Sequence, residues 1–291
     1  MLPVELQVVI LLFLFALGSA VGSFLNVVIY RLPRGLSVSE PRRSFCPECE
    51  CQIRWHDNIP ILSFLMLGRR CRDCGAVISW RYPLVEGLTG LLFALIYLCQ
   101  GIQGRAGVGE LMIMMMVTCL LIAASAIDLD WLIIPDEISL FGVLGGLLAG
   151  LLMPQLHVGP APYHSFEGLT GLWHLDGLLG SAIGALGSGV LVLFVAVVGA
   201  LVFRREAMGM GDAKLLAMVG AFFGWKVALA AFFVAPFVGL AYGIPLLIFR
   251  DEHVMPYGPF LSLGAMVAML FRAELCSFLE PLEYVVTEMM L

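Results

Sequence analysis

Residues 215–249, LLAMVGAFFGWKVALAAFFVAPFVGLAYGIPLLIF, hold one charged side chain, Lys226, in 35 positions. As a single helix this run would be ~52 Å long at ~1.5 Å per residue, well beyond a ~30 Å hydrocarbon core. It reads as two short spans that turn near Gly224, Trp225 and Lys226.

The rest of the chain repeats the pattern. Further apolar runs cover about 6–30, 84–98, 111–127, 138–153, 178–203 and 259–270, so about eight crossings are expected in all. Of 291 residues 60% are hydrophobic and 13% charged, with mean hydropathy +0.97. A soluble domain carries about 25% charged residues, so too few are present here to cover a water-facing surface. The expected fold class is an all-α polytopic membrane protein, and a soluble enzyme or a disordered tail is excluded. The net charge of −6 excludes a general nucleic-acid binder, because a phosphate backbone demands a basic face.

The few charges are sorted. Nine arginines, Arg31, Arg34, Arg42, Arg43, Arg54, Arg69, Arg70, Arg72 and Arg81, share one segment with five acids, which leaves it at +4. It has no run long enough to cross a bilayer, and the positive-inside rule places it in the cytoplasm. The first run has only Glu5 before it and leads into Arg31 and Arg34. It therefore reads as a retained helix with its N-terminus outside rather than a cleaved signal peptide. Threading onward puts 128–137, 204–214 and 250–253 on the cytoplasmic side and 154–176 outside. The outer segment has no Lys or Arg, and its His157, His164 and His174 are irregularly spaced, as expected of solvated loop residues rather than metal ligands.

Four of the eight cysteines form two C-x-x-C pairs in the basic loop, Cys46/Cys49 and Cys71/Cys74, separated by 21 residues. In a reducing cytoplasm such pairs present four thiolates to zinc more readily than they form disulfides, although a dithiol redox pair is the competing reading. A loop of about 50 residues has too little core to fold alone, and a metal would supply folding free energy. Cys51 falls outside the pair pattern, while Cys99, Cys119 and Cys276 read as buried apolar residues.

Ionisable groups beside apolar runs are costly unless paired or hydrated, which makes them functional pointers. The segment AIDLDWLIIPDE (126–137) places Asp128, Asp130, Asp136 and Glu137 at the end of one helix, and MGMGDAK (208–214) places Gly209 and Gly211 before Asp212 and Lys214. Alone, each has a structural alternative: a capping Asp after a glycine turn, or Pro135 and acids opening the next helix. Together, on one membrane side, two carboxylates sharing a proton suit acid/base hydrolysis of a peptide bond. No Ser-His or Cys-His nucleophile motif competes.

These residues resemble the bacterial type IV prepilin peptidases. GSFLNVVIYRLP (22–33), the loop 44–83 with both cysteine pairs and Asn58-Ile59-Pro60, the segment 128–136, residues 209–214, and PYGPF (256–260) carry the match in order. The resemblance implies a Gly-x-Gly-Asp membrane aspartic protease that removes basic leaders from prepilins and type II secretion pseudopilins at the cytoplasmic face of the inner membrane. By position the catalytic pair would be Asp128 and Asp212, with Gly209, Gly211, Lys214, Asp130 and Asp136 in substrate-binding or supporting roles. The resemblance further implies N-methylation of the new N-terminal residue, usually Phe, with S-adenosylmethionine, an activity the cysteine loop accompanies. No dinucleotide-type glycine turn marks where that donor binds. The implied organisation is a first transmembrane helix (1–30), a cysteine-rich zinc loop (31–83) and a polytopic peptidase domain (84–291). An ion-coupled transporter using Asp128 and Asp212 as proton sites is the alternative, without a visible inverted repeat. A zinc metalloprotease lacks His-Glu-x-x-His.

Overall fold

The structure, a computed structural model, describes residues 2–41, 43–157, 170–204, 208–250 and 256–272, together with Glu274, Leu275 and Phe278; the side chains of Phe203 and of 242–250 are not described. Arg42, His164, Cys276 and residues 251–253 lie outside the described residues. Among the described residues no sheet forms, and every apolar run lies on a helix: α1 (Val4–Arg31), α2 (Leu62–Met66), α3 (Arg81–Ile96), α4 (Val108–Trp131), α5 (Asp136–Leu152), α6 (Trp173–Phe203), α7 (Met210–Arg250) and α8 (Gly258–Leu270).

Five described segments are long and apolar enough to cross a bilayer: Val4–Arg34, Arg81–Gly101, Val108–Trp131, Trp173–Val202 and Met210–Ala241. The α5 helix has 17 residues and α8 has 13, short of a full crossing at ~1.5 Å per residue. The chain is thus an α-helical membrane protein with several spanning helices. The long run lies on one helix interrupted where the turn was expected: helical geometry breaks at Gly224, with φ 82° and ψ 170°, a conformation that favours glycine. Leu12, Phe13, Val190, Phe194 and Leu201 are all more than 60% exposed, the pattern of surfaces that face hydrocarbon rather than water.

Two compact units divide the chain between Ala126 and Ile127, within α4. In the first, α1 packs on α3 through small residues. A Cβ on Gly18 would lie 2.8 Å from Gly90 Cα, and one on Gly22 would lie 2.8 Å from Glu86 Cα, so only glycine permits this approach. Arg81 donates from Nη2 to the Ala126 carbonyl at 2.6 Å. Arg31, read above as a flanking positive charge, is instead buried. It folds back so that Nη1 donates to the carbonyls of Ser37, Val38 and Pro41 at 3.1–3.2 Å.

In the second unit α5, α6 and α8 pack around α7. Gly184 on α6 meets Gly220 on α7 backbone to backbone, and Ser188 Oγ lies 3.1 Å from the Leu216 carbonyl it donates to. Ser181 Oγ donates to the Ala221 carbonyl at 2.7 Å, while beyond the Gly224 break Gly264 of α8 seats against Ala231. Without a hydrophobic driving force between helices in lipid, close packing and such hydroxyl bonds hold the bundle. His157 departs from the expectation of a solvated loop residue. The 3₁₀ turn Pro154–Leu156 tucks back and leaves it fully buried, whereas His174 is exposed and its Nδ1 lies 2.8 Å from the Leu151 carbonyl oxygen.

Candidate active site and metal centre

Asp128 lies on α4 one turn before its end. Leu132 N–H bonds back to the Asp128 carbonyl at 2.9 Å and Leu132 then takes φ 55°, which stops the helix. Pro135 follows as the N-cap of α5, with Asp136 and Glu137 in the first turn, where the helix dipole favours acids. Asp212 is the third residue of α7. Its Oδ2 accepts the Gly209 N–H at 3.1 Å, the N3 half of a capping box, while its own N–H bonds the Gly209 carbonyl at 3.2 Å and closes the turn.

Both carboxylates are buried, Asp128 at 6% and Asp212 at 8% exposure, and they lie within electrostatic range of each other. The glycines also serve close packing beside that turn. Neither Gly209 nor Gly211 has positive φ, and a Cβ on Gly211 would stand 3.1 Å from Ile134 Cβ. Gly211 therefore lets the α4–α5 connection settle on the α7 N-terminus, which carries the stretch after Asp128 onto the turn that bears Asp212.

The remaining acids are peripheral. Asp136 is exposed and pairs with Lys214 at 2.6 Å, and Asp130 is exposed on the last turn of α4. Two residues that sequence reasoning left without a role join the pair. Gly258 N–H donates to Asp128 Oδ2 at 2.9 Å, and Tyr257 has a phenol pushed up to about 12 by burial and by the charge of Asp212. Their only signal was the PYGPF stretch, which contains no carboxylate to draw attention.

In the first unit the four expected cysteines converge: the sulfurs of Cys46, Cys49, Cys71 and Cys74 all lie within 4.8 Å of one another, with Cys46 and Cys74 3.9 Å apart. Thiolates at ~2.3 Å from a tetrahedral zinc stand ~3.8 Å apart, whereas a disulfide needs ~2.05 Å. The two pairs are built alike. Cys46 N–H bonds the Cys51 carbonyl and Cys71 N–H that of Ala76; Glu50 and Gly75, each four residues after the first cysteine, take φ 57° and 74°. Bridges Phe45–Gln52 and Arg70–Val77 close each turn. Backbone N–H groups of Cys74 and Asp73 draw the Cys71 thiol down to about 7, while burial and the neighbouring cysteine sulfurs push the Cys49 and Cys74 thiols up. Cys51 is exposed and outside the cluster; Cys99 and Cys119 are half-buried rather than fully buried.

Residues 16–100 match the family model of the bacterial peptidase A24 N-terminal domain, and residues 115–244 match that of the type IV leader peptidase family. A prepilin leader peptidase/N-methyltransferase of Myxococcus xanthus is 40% identical over 81% of this chain and 63% of its own length. The proteins of that name from Aeromonas salmonicida (35% identical, 90% of both chains) and Pseudomonas aeruginosa (34%, 89% of both) are similar throughout. The chain belongs to the type IV leader peptidase family. It spans 63% of the Myxococcus relative and about nine tenths of the others. No solved structure matches it.

The two family matches cover both sites: Asp128 and Asp212 fall in the leader peptidase segment and the four cysteines in the N-terminal one. Membership of the type IV leader peptidase family gives the transporter reading no support.

Proposed function

We propose that the chain is a bifunctional prepilin leader peptidase and N-methyltransferase whose proteolytic groups are Asp128 and Asp212. The observation that carries this is the pair of buried carboxylates, held by Gly258 and Gly209 and interacting with each other, in a chain of the leader peptidase family. One ionised carboxylate removes a proton from water as the oxygen attacks the scissile carbonyl carbon. The other, protonated, gives its proton to the carbonyl oxygen. Collapse of the tetrahedral species breaks the C–N bond, returns the hydroxyl proton to one carboxylate, and sends a proton with the departing amine.

Asp130, Asp136 and Lys214 support this site from its edge, and Gly209 and Gly211 shape it. The substrates in this reading are prepilins and type II secretion pseudopilins, whose basic leader precedes an apolar helix. The helix rests in the bacterial inner membrane, and the cleavage site meets the acids at the cytoplasmic interface. Charge supports that orientation, with the N-terminus outside and the loop 31–83 in the cytoplasm.

Cys46, Cys49, Cys71 and Cys74 hold a structural zinc in this reading. Four protein thiolates close the coordination sphere and leave no open position for chemistry, so the metal's contribution is folding of the loop. The second activity belongs with that cysteine loop, and S-adenosylmethionine supplies an electrophilic methyl group there. The new N-terminal amine, neutral, bonds the methyl carbon; the carbon–sulfur pair stays on sulfur and the amine sheds one proton.

Coexpression with a prepilin followed by mass spectrometry of the product tests both halves. The expected product lacks its leader and carries one added CH₂ on its first residue. An uncleaved prepilin would refute the peptidase assignment, and a cleaved but unmethylated one the methyltransferase.

A further inference from the structure

The methyl donor of that reading needs a site. Within the first unit a cavity of about 320 Å³ lies between the cytoplasmic parts of α1 and α3 and the two cysteine turns. Its walls include the rings of Tyr30, Phe45 and Tyr82 and the carboxylates of Glu48 and Glu86. Glu86 is buried although it stands on an apolar helix. One oxygen accepts the Ile61 N–H at 2.7 Å, and Ile61 takes φ 63° just after the Asn58-Ile59-Pro60 turn. Asn26 Nδ2 donates to the Tyr82 carbonyl at 3.2 Å and fixes α1 to the start of α3 on the same wall.

Outside its ion pairs the cavity wall carries Glu48, Glu86 and Arg31, so acids outnumber cations there. Arg72 is bidentate to Asp57 at 2.6 and 2.8 Å, Arg54 faces Asp73 at 3.6 Å, and Arg31 spends Nη1 on three loop carbonyls. Glu48 and Glu86 are the carboxylates that line the space outside those ion pairs, with Glu86 held in place by the Ile61 N–H and the Ser23 side chain. A buried carboxylate beside aromatic walls suits a ligand that combines a positive charge, a flat ring and hydroxyls: rings stack or take cation–π contact, and carboxylates accept from ammonium or ribose O–H. The volume falls at the lower end of small-molecule pockets, about 300–1,000 Å³.

We propose that this cavity is the S-adenosylmethionine site, with Glu86 as the carboxylate that binds the cationic donor and Tyr82 as part of the wall that holds its ring. The assignment rests on the methyltransferase reading above and adds the residues that reading lacks. Cys46 and Cys71 also line the cavity, so the metal that closes the cysteine turns also shapes the donor site. Glu86 belongs to an apolar run and Tyr82 to the edge of one, so the site uses helix residues as well as the cysteine loop.

Titration of the full chain in lipid nanodiscs with S-adenosylmethionine, by calorimetry, tests this against Glu86→Gln, Glu86→Asp and Tyr82→Leu. Gln retains the shape and an oxygen acceptor for the Ile61 N–H and removes only the charge. The expected result is binding by the native chain, a loss of about tenfold or more for Glu86→Gln as for a charged hydrogen bond made neutral, and a smaller loss for Glu86→Asp. Thermal unfolding and zinc content record folding; if Glu86→Gln fails to fold, Tyr82→Leu decides, and it too must weaken binding. Native affinity in the folded variants overturns the site. A short amide beginning with Phe that binds in place of S-adenosylmethionine overturns it in favour of the acceptor. If the native chain neither binds the donor nor methylates a cleaved pilin, the methyltransferase reading itself fails. If it methylates and the variants bind normally, only the cavity assignment fails.

Discussion

The backbone N–H of Gly258 donates to Asp128 Oδ2 across 130 residues of sequence, at 2.9 Å. A Cβ at position 258 would lie 2.7 Å from that same oxygen. Gly258→Ala retains the donor but must displace the carboxylate, and misplacement of a reacting group by even 1 Å costs about 10²-fold. The expected outcome is a fall of tenfold or more, on the order of that penalty, in leader cleavage with membrane insertion intact, measured by a prepilin processing assay.

Asp128→Asn and Asp212→Asn each remove a proton-transfer group. Leader cleavage should fall by about 10²–10⁴-fold in either variant, and the double variant should be little worse, because the two act as a unit. Initial rates on purified protein settle this, and full activity in either single variant would contradict the assignment.

Asp136→Asn breaks the ion pair with Lys214, whose side chains are 56% and 32% exposed. An exposed pair contributes about 0–1 kcal/mol, so stability should change by no more than that and cleavage by less than about threefold. A loss as large as that of Asp128→Asn would move Asp136 into the catalytic set.

Cys46→Ser or Cys74→Ser removes one of four converging sulfurs. Elemental analysis should find one zinc per native chain and none in either variant, since three thiolates no longer close the sphere. Cobalt substitution of the native chain should give the visible spectrum of a tetrahedral thiolate site, and an unchanged zinc content in both variants would refute the ligand set.

Gly22→Leu places a branched side chain where a Cβ alone would sit 2.8 Å from Glu86 Cα. Overpacking of this kind costs about 1–3 kcal/mol. A lower unfolding midpoint and weaker donor binding are expected, because α1 and α3 also wall the cavity; an unchanged midpoint would show that the two helices adjust freely.

The membrane class was fixed by composition: a chain with so few charges has no alternative solvent, and each apolar run became a helix. The cysteine pairs were legible because metal ligands recur at fixed spacing, and Asp128 and Asp212 because acids beside apolar runs are expensive. What remained hidden depends on distance through space. PYGPF carried no chemistry of its own until the fold brought Gly258 to Asp128 and Tyr257 under the influence of Asp212. Glu86 obeyed the same rule as the catalytic acids, an ionisable group in an apolar run, yet only α1 and the Asn58–Ile61 turn give it a cavity to face. Sequence determined the solvent, the helices and the residue types that do chemistry, since each follows from local composition and spacing. Tertiary structure alone decided which of those residues meet, because backbone approaches such as Gly211 on Ile134 or Gly22 on Glu86 join segments that no local pattern relates.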